Sequence, residues 1–166
     1  RLIYILVLLV SFNGLAQNPA SPAGRYADKS HYLVDSLDLN AVGESDQKLI
    51  EARLKLYHSA ANDMIKVNAL SAICEKMVHE DWKKYQTFQL VLIEKALETN
   101  PPTEENLSLK KALAGALNNI GIIYDNKGDP LSALAHYERG LKVYEEIGNK
   151  KGVANIYNNI GTIHNE

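Results

Sequence analysis

Residues 114–126 read AGALNNIGIIYDN, and residues 154–166 read ANIYNNIGTIHNE. The two stretches align without a gap at an offset of 40 residues. Ala114/Ala154, Asn118/Asn158, Asn119/Asn159, Ile120/Ile160, Gly121/Gly161 and Ile123/Ile163 are identical. The shared NNIG, at a fixed spacing inside a helical pattern, marks an internal repeat, whose units bury their apolar faces by stacking on one another. A third, degenerate copy lies upstream at an offset of 47: Ala69, Leu70, Ile73, Cys74 and Met77 match Ala116, Leu117, Ile120, Gly121 and Tyr124. The extra length falls in the turn MVHEDWKKYQ and the linker TNPPTEEN.

The spacing within one unit has a physical meaning. Leu117, Ile120, Gly121 and Tyr124 share one face of a helix, and Ala133, Tyr137, Gly140 and Leu141 share one face of the next. Small residues at Gly121, Ala133 and Gly140 let two antiparallel helices approach closely, and the large residues fill the space around them. Between these helices Lys127-Gly128 turns the chain, and Asp129 caps a helix with Pro130 at its first position, where a missing N–H costs nothing. That helix ends at Gly148, a natural left-handed C-cap.

Working upstream, Ser45 is expected to cap a helix through Leu49, Ile50 and Leu54 to about Ala61. Asn62 or Asp63 caps the next, striped by Ile65, Ala69, Leu70, Ile73 and Met77. A third runs from about Asp81 to Glu98 and stops at Asn100-Pro101-Pro102. Thr103 caps a fourth, to about Asn126, and a sixth begins near Lys151. No strand pattern is present, so the fold class is all-α.

The order large, large, Gly, Tyr, then Ala, Tyr, small resembles the tetratricopeptide repeat. The resemblance is good over 113–147, good for the half repeat 151–166, and weak over 63–98, where the second helix lacks the expected Ala near Gln89. Gly140 replaces the usual Ala, and the usual Pro at the end of the second helix is absent. The resemblance implies antiparallel helix pairs stacked as a right-handed solenoid, with its repeat-packing signature at Leu117, Ile120, Gly121, Tyr124, Ala133, Tyr137, Gly140, Ile160 and Gly161. The domains then divide as a signal peptide at 1–16, a linker at 17–44, a leading helix at 45–62, a degenerate helix pair at 63–102, a full repeat at 103–150 and an incomplete one at 151–166. The resemblance also implies a protein or peptide partner held in a concave groove. HEDWKKYQ, ALNNIGIIYDNKGD and YEEIGNKKGVANIYNNIG look like the N-terminal portions of exported tetratricopeptide proteins of Bacteroidetes-type bacteria. In those, the repeats often precede a membrane helix and a cytoplasmic kinase, cyclase, phosphatase or DNA-binding domain.

The N-terminus reads as a sorting signal. Leu2–Val10 is an unbroken apolar run, too short to span a bilayer and of the length of a signal-peptide core. Gly14 and Ala16 stand at −3 and −1 of a cut before Gln17. The run carries only Arg1 ahead of it and no initiator Met, so the first residues are expected to be missing. Export is the resulting expectation, with a cytoplasmic protein as the alternative. Residues Asn18 to about Glu44 read as an exposed spacer with a short helical turn near His31–Leu37. At the other end, an apolar face carrying Ile156, Ile160 and Ile163 is expected to stand open and fray.

Composition bounds the chemistry. The 166 residues carry 18 Lys+Arg against 20 Asp+Glu, a formal charge of −2, which gives no electrostatic footprint for nucleic acid. One cysteine excludes an internal disulfide and a Cys-rich zinc site. Cys74, at the Gly121 position, reads as a small inert thiol. His31, His58, His79, His136 and His164 are scattered, and His79-Glu80-Asp81 diverge as consecutive residues do. Gly148–Gly152 lacks the spacing of a phosphate loop. No catalytic constellation stands, so the expectation is no enzyme activity, no cofactor and no metal in this segment. Membrane contact would come only through a downstream segment. Asn118, Asn119, Asn158 and Asn159 are the candidate groove residues, because an amide both donates to and accepts from a ligand backbone. The role could be the sensory or scaffolding part of a signalling protein, a stand-alone periplasmic scaffold, or the regulatory segment of a downstream enzyme.

Overall fold

The structure, a computed structural model, describes residues 38–78, 80–99 and 104–163. A 3-10 turn, Leu39–Ala41, leads into six α-helices among them: α1 Glu44–His58, α2 Asp63–Lys76, α3 Trp82–Thr99, α4 Glu104–Asp125, α5 Pro130–Glu146 and α6 Lys150–Ile163. The expected signal peptide, most of the expected linker, His31, His79, Thr103 and His164 lie outside the described residues.

The caps follow side-chain chemistry. Asn62 Oδ1 accepts from Ile65 N at 2.9 Å, and Asp129 Oδ1 accepts from Ser132 N at 3.1 Å, each satisfying an N–H that the first helical turn leaves unpaired. Gly128 and Gly148 take φ of 71° and 68°, the left-handed conformation that ends α4 and α5. Ser45 is not the α1 cap. Gly43 occupies that position without a side-chain bond, and Ser45 lies inside the first turn, where Glu44 and Asp46 complement the helix dipole. The end of the expected spacer is not wholly exposed, since Val42 packs inward. Val42 is 5% exposed and belongs to the core formed with Ile50, Leu70, Ile73, Met77 and Tyr85. Nearby, both carboxylate oxygens of buried Asp46 accept from Val78 N, at 3.2 and 3.1 Å, tying the start of α1 to the exit of α2.

Three apolar clusters are handed along the chain. The first joins α1, α2 and α3. The second joins Val67 of α2, Leu90, Ile93 and Ala96 of α3, and Leu109, Leu117, Ile120 and Ile123 of α4. The third joins Ala133 and Tyr137 of α5 to Ile156 of α6. Consecutive helices make the heaviest contacts, and α2–α4 and α4–α6 touch more lightly. This is an all-α helical solenoid.

Two tyrosine rings set the helix separations at the C-terminal end. A Cβ placed on Gly121 would lie 2.5 Å from Tyr137 Cδ1, so the α4 backbone is the seat of the α5 ring. A Cβ on Gly152 would lie 2.6 Å from the Tyr144 ring, so α6 approaches α5 in the same way. At Gly140 the close neighbours are Ile156 Cδ1 at 3.0 Å and the Ala114 carbonyl at 3.2 Å. Among the described residues, a Cβ on Gly161 would meet nothing within 4 Å. The face expected to stand open on α6 is therefore different in detail. Ile156 is fully buried under α5 and Ile160 and Ile163 are half-buried, whereas Tyr157 is 55% exposed.

Tyr137 has no exposed surface, and among the described residues its hydroxyl has no hydrogen-bond partner. Burial, and then the nearby Asp125 charge, push its pKa up to about 12. An orphaned buried hydroxyl destabilises the folded state, so Tyr137→Phe should leave the melting temperature equal or higher. A raised folded-state pKa favours the folded, protonated form below pH 10, and that contribution is lost as pH rises from 10 to 12. Tyr137→Phe should flatten this alkaline loss; an unchanged alkaline profile would refute it.

Candidate functional site

Helices α2 and α4 stand apart over α3, and the space between them is a groove of about 390 Å³. Asn68, Ser71 and Glu75 of α2 line one wall, and Lys111, Gly115 and Asn119 of α4 the other. Its floor is unusual. Gln86 and Gln89 of α3 are 1% and 4% exposed, yet both are polar. Buried amides persist only when hydrogen-bonded, and these two are. Asn119 Nδ2 donates to Gln86 Oε1 at 2.8 Å. Gln86 Nε2 donates to Gln89 Oε1 at 2.7 Å. Gln89 Nε2 donates to the Val67 carbonyl at 3.1 Å and to the Ser71 hydroxyl. One unbroken amide chain thus crosses the groove from α4 through α3 to α2.

The four candidate asparagines part company. Asn119 lines the groove and starts the amide chain. Asn118 Oδ1 accepts from Asn159 Nδ2 at 2.8 Å, so this pair links α4 to α6 directly. Asn158 is exposed on α6. The repeat-packing residues lie elsewhere, in the stack: Leu117, Ile120, Gly121, Ala133, Tyr137 and Gly140 are buried. Tyr124 is half-buried, with its ring stacked 5.1 Å from that of His136, while Ile160 and Gly161 are half-buried on α6.

Gln86 and Gln89 are the groove residues that sequence reasoning missed. The signal was present at Gln89, which stands where the repeat pattern calls for alanine. That departure is the polar floor. Cys74 also lines the groove, with its thiol directed to the Trp82 carbonyl at 3.8 Å, and burial pushes its pKa up to about 12. It is a protonated thiol at neutral pH and a poor nucleophile. Among the described residues no group of three or more His, Cys, Asp and Glu could hold a metal ion.

With the paired helices, the glycine seats and the groove in view, comparison with known families becomes specific. Residues 113–147 match the family model of the tetratricopeptide repeat. The match covers the second half of α4 and all of α5, the pair joined by Gly121 and Tyr137. Comparisons with curated proteins and with solved structures returned no match. Tetratricopeptide repeats are typically non-catalytic interaction modules, and the part of the chain that resembles one is the α4–α5 pair of an all-α helical solenoid. Around that pair, α2–α3 and α6 supply the neighbours on which it stacks.

Proposed function

We propose that the chain holds an extended segment of a partner protein in the groove between α2 and α4. The observation that carries this reading is the polar floor under an open groove: buried, pre-ordered amides lie where a ligand backbone or side chain can use them, at no ordering cost on binding. We further propose that this module is the sensory or scaffolding part of an exported bacterial signalling protein. The apolar Leu2–Val10 run and the sequence likenesses described above support that placement.

Gly115 gives a direct test. A Cβ there would have only the Tyr144 hydroxyl nearby, at 3.6 Å, so a larger side chain enters the groove without striking the core. Peptides selected from a displayed random library against the chain should bind Gly115→Leu about tenfold more weakly, a loss of about 1.4 kcal/mol. Leu131→Ser, at an 80% exposed position on α5 outside the groove lining, should leave their affinity unchanged. Equal binding by the two variants would move the site elsewhere.

A further inference from the structure

The amide chain across the groove also specifies what it can hold, through the hydrogen-bonding capacity it leaves unspent. A primary amide offers two N–H donors and two acceptor lone pairs. Gln89 spends both its N–H groups, on the Val67 carbonyl and the Ser71 hydroxyl. Gln86 spends one, on Gln89, and Asn119 spends one, on Gln86. Among the described residues this leaves one N–H each on Gln86 and Asn119, the Ser71 hydroxyl hydrogen, and, as acceptors, Asn119 Oδ1 and one lone pair each on Gln86 Oε1 and Gln89 Oε1. The groove therefore presents neutral donors and neutral acceptors side by side. Its charged lining is balanced, with Glu75 on one wall and Lys111 on the other.

We propose that this floor is a subsite for the carboxamide side chain of a glutamine or asparagine in the bound peptide. The inference rests on the groove being the peptide site. A carboxamide donates and accepts at once and continues the amide chain. A carboxylate accepts only, so it would set a negative charge against Asn119 Oδ1 with no buried cation to offset its desolvation. An ammonium donates only and would leave the free N–H groups unanswered. Discrimination of this kind is strong, because the wrong ligand strands buried polar groups. Gln86 and Gln89 lie almost fully covered, so the half-buried Asn119 and Ser71 are the members of the amide chain that a ligand side chain entering the groove meets first.

Three probes of matched backbone test this on the isotopically labelled chain: the acetylated methylamides of glutamine, glutamate and alanine. The readout is the side-chain amide resonances of Gln86, Gln89 and Asn119. The glutamine probe should shift these saturably, at least about tenfold more tightly than either of the others. Asn119→Leu, of similar volume, should abolish the preference. If that variant does not fold, the ranking on the unaltered chain decides alone. Equal binding of the alanine probe would mean that the backbone is read, and equal or tighter binding of the glutamate probe would mean that charge is read; either overturns the subsite. So does a glutamine probe that shifts nothing. If that probe fails while Gly115→Leu still weakens capture of library peptides, the subsite falls and the groove stands; if both fail, the groove falls as well.

Discussion

Gly121→Val is expected to destabilise the fold by about 3 kcal/mol, the upper part of the range for an overpacked core. The added Cβ would sit in the Tyr137 ring, and that ring has no exposed surface through which to move away. Better helix propensity at position 121 returns less than about 1 kcal/mol. The internal repeat supplies its own control. Gly161 stands in the same NNIG context, yet among the described residues nothing lies within 4 Å of its virtual Cβ. Gly161→Val should therefore change the urea midpoint only slightly. The collision also predicts coupling. Tyr137→Ala alone should cost roughly 3–5 kcal/mol, but combined with Gly121→Val the total should fall short of the sum by about 1 kcal/mol or more. Additive losses, or equal effects at Gly121 and Gly161, would show that the ring does not set the α4–α5 distance.

The second large effect belongs to the groove floor. Gln89→Leu removes the acceptor of Gln86 Nε2 and the donor to both the Val67 carbonyl and Ser71. Stranding a buried polar group costs about 1–3 kcal/mol, and a loss near the top of that range, about 3 kcal/mol, is expected. Gln86→Leu should act similarly, because it strands Gln89 Oε1 and Asn119 Nδ2. The double variant should cost less than the two singles together, since an all-apolar floor leaves fewer groups unanswered than a half-broken chain. Denaturant midpoints of the four proteins measure this, and strict additivity would dissolve the network into independent contacts.

Much of this was legible in the residues. The offset of 40 and the large–small alternation gave the helix pairs, the Asp129 and Gly148 boundaries and the tyrosine–glycine packing. The repeat alignment carries burial over only in part: Ile156 aligns with buried Ala116 and is buried, but Tyr157 aligns with Leu117, 1% exposed, and is itself 55% exposed. Ile156, Ile160 and Ile163 do not form one open face because Ile156 turns under α5. The groove was harder to read. Asn118 and Asn119 are adjacent and point about 100° apart around a helix, so their roles depend on which helix stands opposite each. That is settled by the rotation of each helix in the stack, and no local pattern records it. Gln86 looks like an ordinary surface glutamine in the sequence, and Gln89 shows only that it departs from the expected alanine; the covering of α3 by α2 and α4 makes the two a floor.

The neighbour-to-neighbour handing on of the core has a mechanical consequence. Detaching a terminal helix breaks one main interface and leaves the rest of the stack nearly intact. A pulling force applied at the ends would therefore peel the helices away in small successive steps instead of rupturing the whole at one load. A ligand lying across α2, α3 and α4 would bridge several of those steps. A segment held in the groove, as proposed above, should therefore raise the force needed to peel α2, α3 and α4 apart.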